Sequence, residues 1–223
     1  MCFVLAALLL PCPLLAAASE FTARCEREMK PVLEVRAHET DFDLINVINS
    51  RVLNTRVSDG SASHMTLGMT SGTHRTEITL DAPGLRDSRS GRECVSPRID
   101  VDLAYKPLQV YVAREFHQQS CAYRTVYAHE MRHVKVYRDN LPLLERRVRE
   151  ALLQRYGNRP LYMPVKAGLA QLESDVDTWL RPFIKELLAE VERQQAALDD
   201  YQETQLLSHA CLGEVEQAMG SSF

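Results

Sequence analysis

Ser120-Cys-Ala-Tyr-Arg-Thr-Val-Tyr-Ala-His129-Glu130-Met131-Arg132-His133-Val134 is the stretch on which the reading of this chain turns. It carries no glycine or proline, and Ser120 can cap a helix running from Cys121 to about Arg138. In such a helix His129 and His133, four residues apart, lie on one face one turn above the other. Working outward, Asn140-Leu141-Pro142 ends this helix and opens a second, Leu143 to Tyr156, which Gly157 and Pro160 stop. A long helical region is expected from Pro164 to about Glu216. Its apolar residues, Leu169, Leu172, Val176, Leu180, Ile184, Leu187, Val191 and Leu198, recur at three- and four-residue steps. Pro182 should kink or divide it.

Upstream the pattern is that of strands. Pro31 to Ala37 alternates, Asp41 to Asn54 suits helix or strand equally, and Asp59 to Ser63 reads as a loop. Thr66–Thr70 and Thr73–Leu80 around Ser71-Gly72 read as a hairpin. A second pair of strands, Arg98–Ala104 and Leu108–Ala113, meets at Lys106-Pro107. The expected fold is α+β: a small antiparallel sheet, then the histidine helix, then a long helical C-terminal region.

The chain has 223 residues, 45% hydrophobic and 25% charged, enough for a real core in one domain. A net charge of -4 and a pI near 6.0 argue against nucleic acid as a partner. Residues 1–18 are uncharged, apolar and end in Ala16-Ala17-Ala18, which reads as a cleavable export signal, although no Lys or Arg precedes the run. The stretch is shorter than the roughly 20 residues of a spanning helix, and no stable membrane anchor is expected. Cleavage there leaves Cys25, Cys94, Cys121 and Cys211. Four cysteines in an exported chain suggest two disulfides in one of three pairings, with buried free thiols as the alternative. The favoured pairing is Cys25–Cys94 with Cys121–Cys211. The expected location is secreted or periplasmic.

His129-Glu130-Met131-Arg132-His133 has the HExxH spacing in which both histidines hold one Zn2+ at about 2.0–2.1 Å. Glu130, one residue on, can act as general base toward a zinc-activated water attacking a peptide or amide carbonyl. The plain alternative is a solvated helix face. Arg132 departs from the pattern, since active proteins of this zincin type usually carry uncharged residues there. A third ligand is needed. Asp139, six residues past His133, lacks the glycine turn that would bring it back, because Val136 stands at that position. Glu173, within Glu173-Ser-Asp-Val-Asp177, is favoured, with a solvated face as its alternative; Glu145, Glu150 and His209 stay open. His38, His64, His74 and His117 read as scattered surface or core residues, Tyr123, Tyr127 and Trp179 as packing. Ser61 and Ser63 show no nucleophile-elbow context.

The segment Ser120–Val134, with Tyr137–Leu141 and the later Leu198–Thr204 to Cys211 stretch, resembles a group of exported bacterial proteins of unknown function predicted to be zinc-dependent proteases. The resemblance implies a bacterial envelope location and a metallopeptidase acting on a protein or peptide substrate. It carries over to His129, Glu130 and His133. On this reading residues 19–223 form one zincin-like domain: 19–116 mainly strands, 117–157 the metal helix and its successor, 164–217 a helical tail. The alternative function is a non-catalytic envelope protein with a structural or vestigial zinc site and a partner-binding helical region.

Overall fold

The computed structural model describes residues 13–39, 41–57 and 66–220. Residues 1–12 of the expected signal, the Asp59–Ser63 loop and His64 lie outside the described residues. The chain is α+β, and it divides into two compact units assembled from interleaved segments. One unit comprises residues 1–34, 79–100 and 150–178, the other 35–78, 101–149 and 179–223.

The elements are α1 (Pro13–Glu28), β1 (Val32–His38), β2 (Phe42–Ile45), α2 (Ser50–Val57), β3 (Gly68–Asp81), β4 (Gly84–Asp87), β5 (Arg92–Val95), β6 (Arg98–Val112), α3 (Cys121–Tyr156), β7 (Leu161–Pro164), α4 (Gly168–Asp175), α5 (Arg181–Ala196), α6 (Tyr201–Ser208) and α7 (Glu214–Gly220). A wide π turn over Val176–Leu180 joins α4 to α5. Pro182, near the start of α5, supplies no N–H, which suits it to a helix N-terminus, where that donor is unpaired anyway. None of the described helices is long and apolar enough to cross a membrane.

Three expected breaks are absent. Ser71-Gly72 does not turn: β3 runs unbroken for 14 residues, and a Cβ on Gly72 would stand 3.0 Å from the Tyr137 ring. The glycine is there for close packing of strand on helix rather than for a hairpin. The cis Lys106–Pro107 bond lies inside β6, a single strand of 15 residues. Pro142 sits within α3, which continues for 36 residues. The four-stranded sheet is also not purely antiparallel. β6 pairs with β1, β2 and β3, and β2 runs parallel to it, Phe42 opposite Leu108 and Ile45 opposite Tyr111.

In the first unit β4, β5 and β7 form an antiparallel sheet with Leu85 opposite Cys94 and Cys94 opposite Tyr162. The Cys25–Cys94 disulfide ties α1 to this sheet, and both cysteines are fully buried. Gly168 opens α4 where a Cβ would meet Val95 at 2.9 Å. Asp175 accepts hydrogen bonds from Arg155, Tyr156 and Gln171.

In the second unit Leu53, Tyr111, Val112, Phe116, Ala122, Tyr123 and Val126 pack with Val215 of α7 as one apolar cluster. Ser120 caps α3 as the sequence suggests, its Oγ accepting from Tyr123 N–H at 3.0 Å. The second disulfide, Cys121–Cys211, joins the first residue of α3 to the short 3-10 turn after α6. Both bridges match the favoured pairing and fit an oxidising compartment.

Candidate metal centre

The third and fourth turns of α3 place His129 and His133 side by side, ring centroids 5.0 Å apart, each 6% exposed. Their Nε2 atoms are 3.2 Å apart. A third donor stands against both: Oδ1 of Asp199, 3.0 Å from His129 Nε2 and 3.1 Å from His133 Nε2. These three are the group among the described residues that unites both histidines with a carboxylate. Asp199 sits in the tight turn between α5 and α6. That turn is shaped by Leu198 N–H on Gln195 O, Asp199 N–H on Ala196 O, and Asp200 capping α6 through Glu203 N–H at 2.8 Å.

The surrounding hydrogen bonds decide what the triangle is for. Gln195 Nε2 donates to the backbone carbonyl of His133 at 3.1 Å, so its Oε1 is the atom that faces His133 Nδ1 at 2.7 Å. An oxygen can only accept, so Nδ1 carries the proton and the Nε2 of a neutral His133 is a bare lone pair. That lone pair points at a carboxylate oxygen and another ring nitrogen. The His133 lone pair and the Asp199 oxygen are both acceptors and His129 Nε2 can take either role, so atoms this close at 3.0–3.2 Å need a cation or a proton among them. Burial alone would raise the Asp199 carboxyl; hydrogen bonds and charge from His129 and His133 outweigh it and hold the group far below the usual carboxylate range. For His133, desolvation pushes downward but Asp199 and Gln195 prevail, and its pKa is raised.

The donor set fits a metal. Donors about 2.0–2.1 Å from a tetrahedral zinc stand roughly 3.3 Å apart, close to the spacing here. The ring N–H of His133 bound to a neighbouring oxygen is the usual way a metal-ligating histidine is oriented. Asp199 is 60% exposed at its side chain, so the centre opens to solvent on that side.

Glu130 is 4% exposed. Burial raises its carboxyl to about 7, against the lowering effects of the Thr70 hydrogen bond and of His129 and His133, with Asp199 adding to the rise. Thr70 Oγ1, on β3, donates to Glu130 Oε2 at 2.8 Å. Two residues earlier, a Cβ on Gly68 would fall 2.5 Å from Glu130 Oε1, 2.7 Å from Val126 Cγ1 and 2.9 Å from Tyr111 O. The strand can approach the glutamate this closely because Gly68 has no side chain.

The structure brings together His129, Glu130 and His133 within the second unit. Glu173 is an exposed residue of α4, in the first unit. Asp139 is ion-paired with Lys135 at 2.5 Å, Glu145 with Arg149 at 2.6 Å, and His209 with Glu216 at 2.8 Å. Glu150 lies on the exposed side of α3. Tyr123 and Tyr127 stack on each other at 6.2 Å, and the half-buried Trp179 stacks on Phe183. The residues that the sequence reading passes over are Asp199, Gln195, Glu203, Thr70 and Gly68. One signal was present: Asp199-Asp200-Tyr-Gln-Glu203 carries the acid-x-x-Glu signature of a helix start. No family model, curated protein or solved structure matches the chain.

Proposed function

We propose that this chain is an exported zinc-dependent hydrolase of peptide or amide bonds, zincin-like in its use of His129, Glu130 and His133, with Asp199 as the third protein ligand. One observation carries the reading: two ring nitrogens and a carboxylate oxygen converge at 3.0–3.2 Å beside a buried glutamate. Zinc bound to such a set supplies a Lewis acid that polarises a carbonyl and acidifies a water. The chain's own part falls to Glu130, whose carboxyl, raised to about 7, can take a proton and return it near neutral pH. The Thr70 hydroxyl fixes Oε2 and leaves Oε1 as the atom to receive that proton, which the leaving nitrogen then accepts. His133 is held by Gln195, and His129 by its contacts with Glu203 and Arg132. The disulfides and the apolar, uncharged N-terminal run support an export route that ends in the bacterial envelope.

A metal titration and peptide-pool digestion on the oxidised protein, parent and Glu130→Gln side by side, test this reading. One zinc per chain in both, with cleavage in the parent only, supports it. A parent that takes up no metal, or cleavage undiminished in Glu130→Gln, overturns it.

The low exposure of both histidines favours a second reading, a closed structural zinc. Adding a hydroxamate to the cobalt-substituted protein separates the two. A changed visible spectrum requires an open coordination position, and an unchanged one indicates the closed site.

A further inference from the structure

Arg132 is the residue of the motif that the hydrolase reading leaves without a role, and its surroundings supply one. Its Nη2 stands 2.6 Å from His129 Nδ1 and is ion-paired with Glu203, whose Oε1 lies 3.3 Å from the same Nδ1. So Nδ1 of His129 has two neighbours, one cationic and one anionic. A histidine that gives Nε2 to a metal carries its proton on Nδ1 and must donate it. The Arg132 donor suits the metal-free tautomer, with Nδ1 accepting; once Nε2 is given to a metal and Nδ1 carries the proton, arginine offers it no acceptor and the Glu203 carboxylate does. Glu203 is therefore the group able to satisfy His129 in the metal-binding tautomer. Arg132, three residues along the same helical face, is placed to hold that carboxylate against the ring.

We propose that Glu203 and Arg132 are positioning residues of the metal centre: Glu203 accepts the Nδ1 proton of His129, and Arg132 anchors Glu203 to the helix that carries both histidines. The inference rests on the metal reading of His129, His133 and Asp199. Placement on the chain supports it. Asp199 and Glu203 are the residue before the cap of α6 and the residue that the cap Asp200 binds. A ligand and the group that orients another ligand thus enter on one rigid turn, and the ion pair docks that turn on α3. Arg132 is then the counterion of a half-buried carboxylate–histidine pair, and its presence inside the motif is explained.

The test is zinc affinity by chelator competition in the oxidised full chain, for the parent, Glu203→Leu, Glu203→Gln and Arg132→Leu. The imidazole N–H spectrum of the zinc-loaded forms and the melting of the metal-free forms are recorded beside it. Glu203→Leu is expected to weaken zinc binding about 10- to 100-fold and to remove the hydrogen-bonded His129 Nδ1–H signal. Glu203→Gln, whose amide oxygen still accepts, should restore most of the affinity, and Arg132→Leu should show a smaller loss in the same direction. Unchanged metal-free melting in all three would separate orientation from general stability. Parent-like zinc affinity in Glu203→Leu, with the N–H signal intact, overturns this proposal alone. A parent that binds no zinc overturns the metal centre and the proposal with it.

Discussion

Gln195 grips His133 at two points, its Oε1 accepting from ring Nδ1 at 2.7 Å and its Nε2 donating to the backbone carbonyl at 3.1 Å. Gln195 is 7% exposed on the last turn of α5, so neither bond is shared with bulk water. The pair fixes both the rotamer and the tautomer of the histidine.

Replacing that amide by an isosteric hydrocarbon isolates its effect. Gln195→Leu is expected to weaken zinc binding about 10- to 100-fold while His129, His133 and Asp199 stay in place. It also leaves the buried His133 Nδ1–H without an acceptor, at a cost of about 1–3 kcal/mol. Chelator competition and a denaturant titration of the metal-free form read the two effects separately.

The raised pKa of His133 sets the sign of two pH effects. In the metal-free protein the folded state holds the His133 proton more tightly than the unfolded chain. This contribution to stability is complete below the ordinary histidine value and is lost as pH rises through the folded value. Zinc competes with the same proton, so zinc affinity should rise over that interval and binding should release protons. Calorimetry in two buffers of different ionisation enthalpy measures the release, and no proton exchange at pH 6 would contradict the assignment.

Gly68→Ala inserts a methyl where Glu130 Oε1, Val126 Cγ1 and Tyr111 O all lie within 3 Å. A loss of about 1–3 kcal/mol is expected from overpacking, with Glu130 displaced and zinc content unchanged. Gly72→Ala meets Tyr137 and Leu108 at 3.0–3.3 Å and should cost less. Thermal melting and metal analysis of both variants check the order.

The two disulfides should separate cleanly in their effect on the metal. Each closes a long loop, with sequence separations of 69 and 90, and removing either should cost roughly 4–5 kcal/mol by loop entropy. Cys121→Ser/Cys211→Ser frees the turn that follows α6 and should also weaken zinc binding. Cys25→Ser/Cys94→Ser, in the other unit, should leave affinity unchanged. Zinc titration of the two double variants gives the comparison.

How much of this was legible in the sequence depended on how local the cause was. His129, Glu130 and His133 were readable because four residues along a helix bring two rings together whatever surrounds them. Asp199 was not, because a turn 70 residues downstream of His129 reaches it through tertiary packing. The helical segment around Glu173 was legible too, but helical pattern gives a face and not the neighbour that face will meet. Gly72 and Pro142 misled for a related reason. Each is a breaker in isolation, and each is overridden here, Gly72 by packing against Tyr137 and Pro142 by the packing of a long helix. The cysteine pairing was favoured correctly among three possibilities, and the parallel β2–β6 pair left no local trace.

The sequence distance between the histidines and the residues that complete their site has a consequence for how the protein is made. Gln195, Asp199 and Glu203 are 62, 70 and 74 residues downstream of the histidines they contact. A chain still emerging from a ribosome or a translocation pore exposes the histidine pair long before these partners arrive. During that interval it presents two imidazoles and no third ligand, a poor trap for any metal. Cys211, the last residue needed to tether this region, emerges later still. On the proposed metal reading, acquisition of zinc is deferred to the end of biosynthesis, and a chain that completes its centre last stays inert until then.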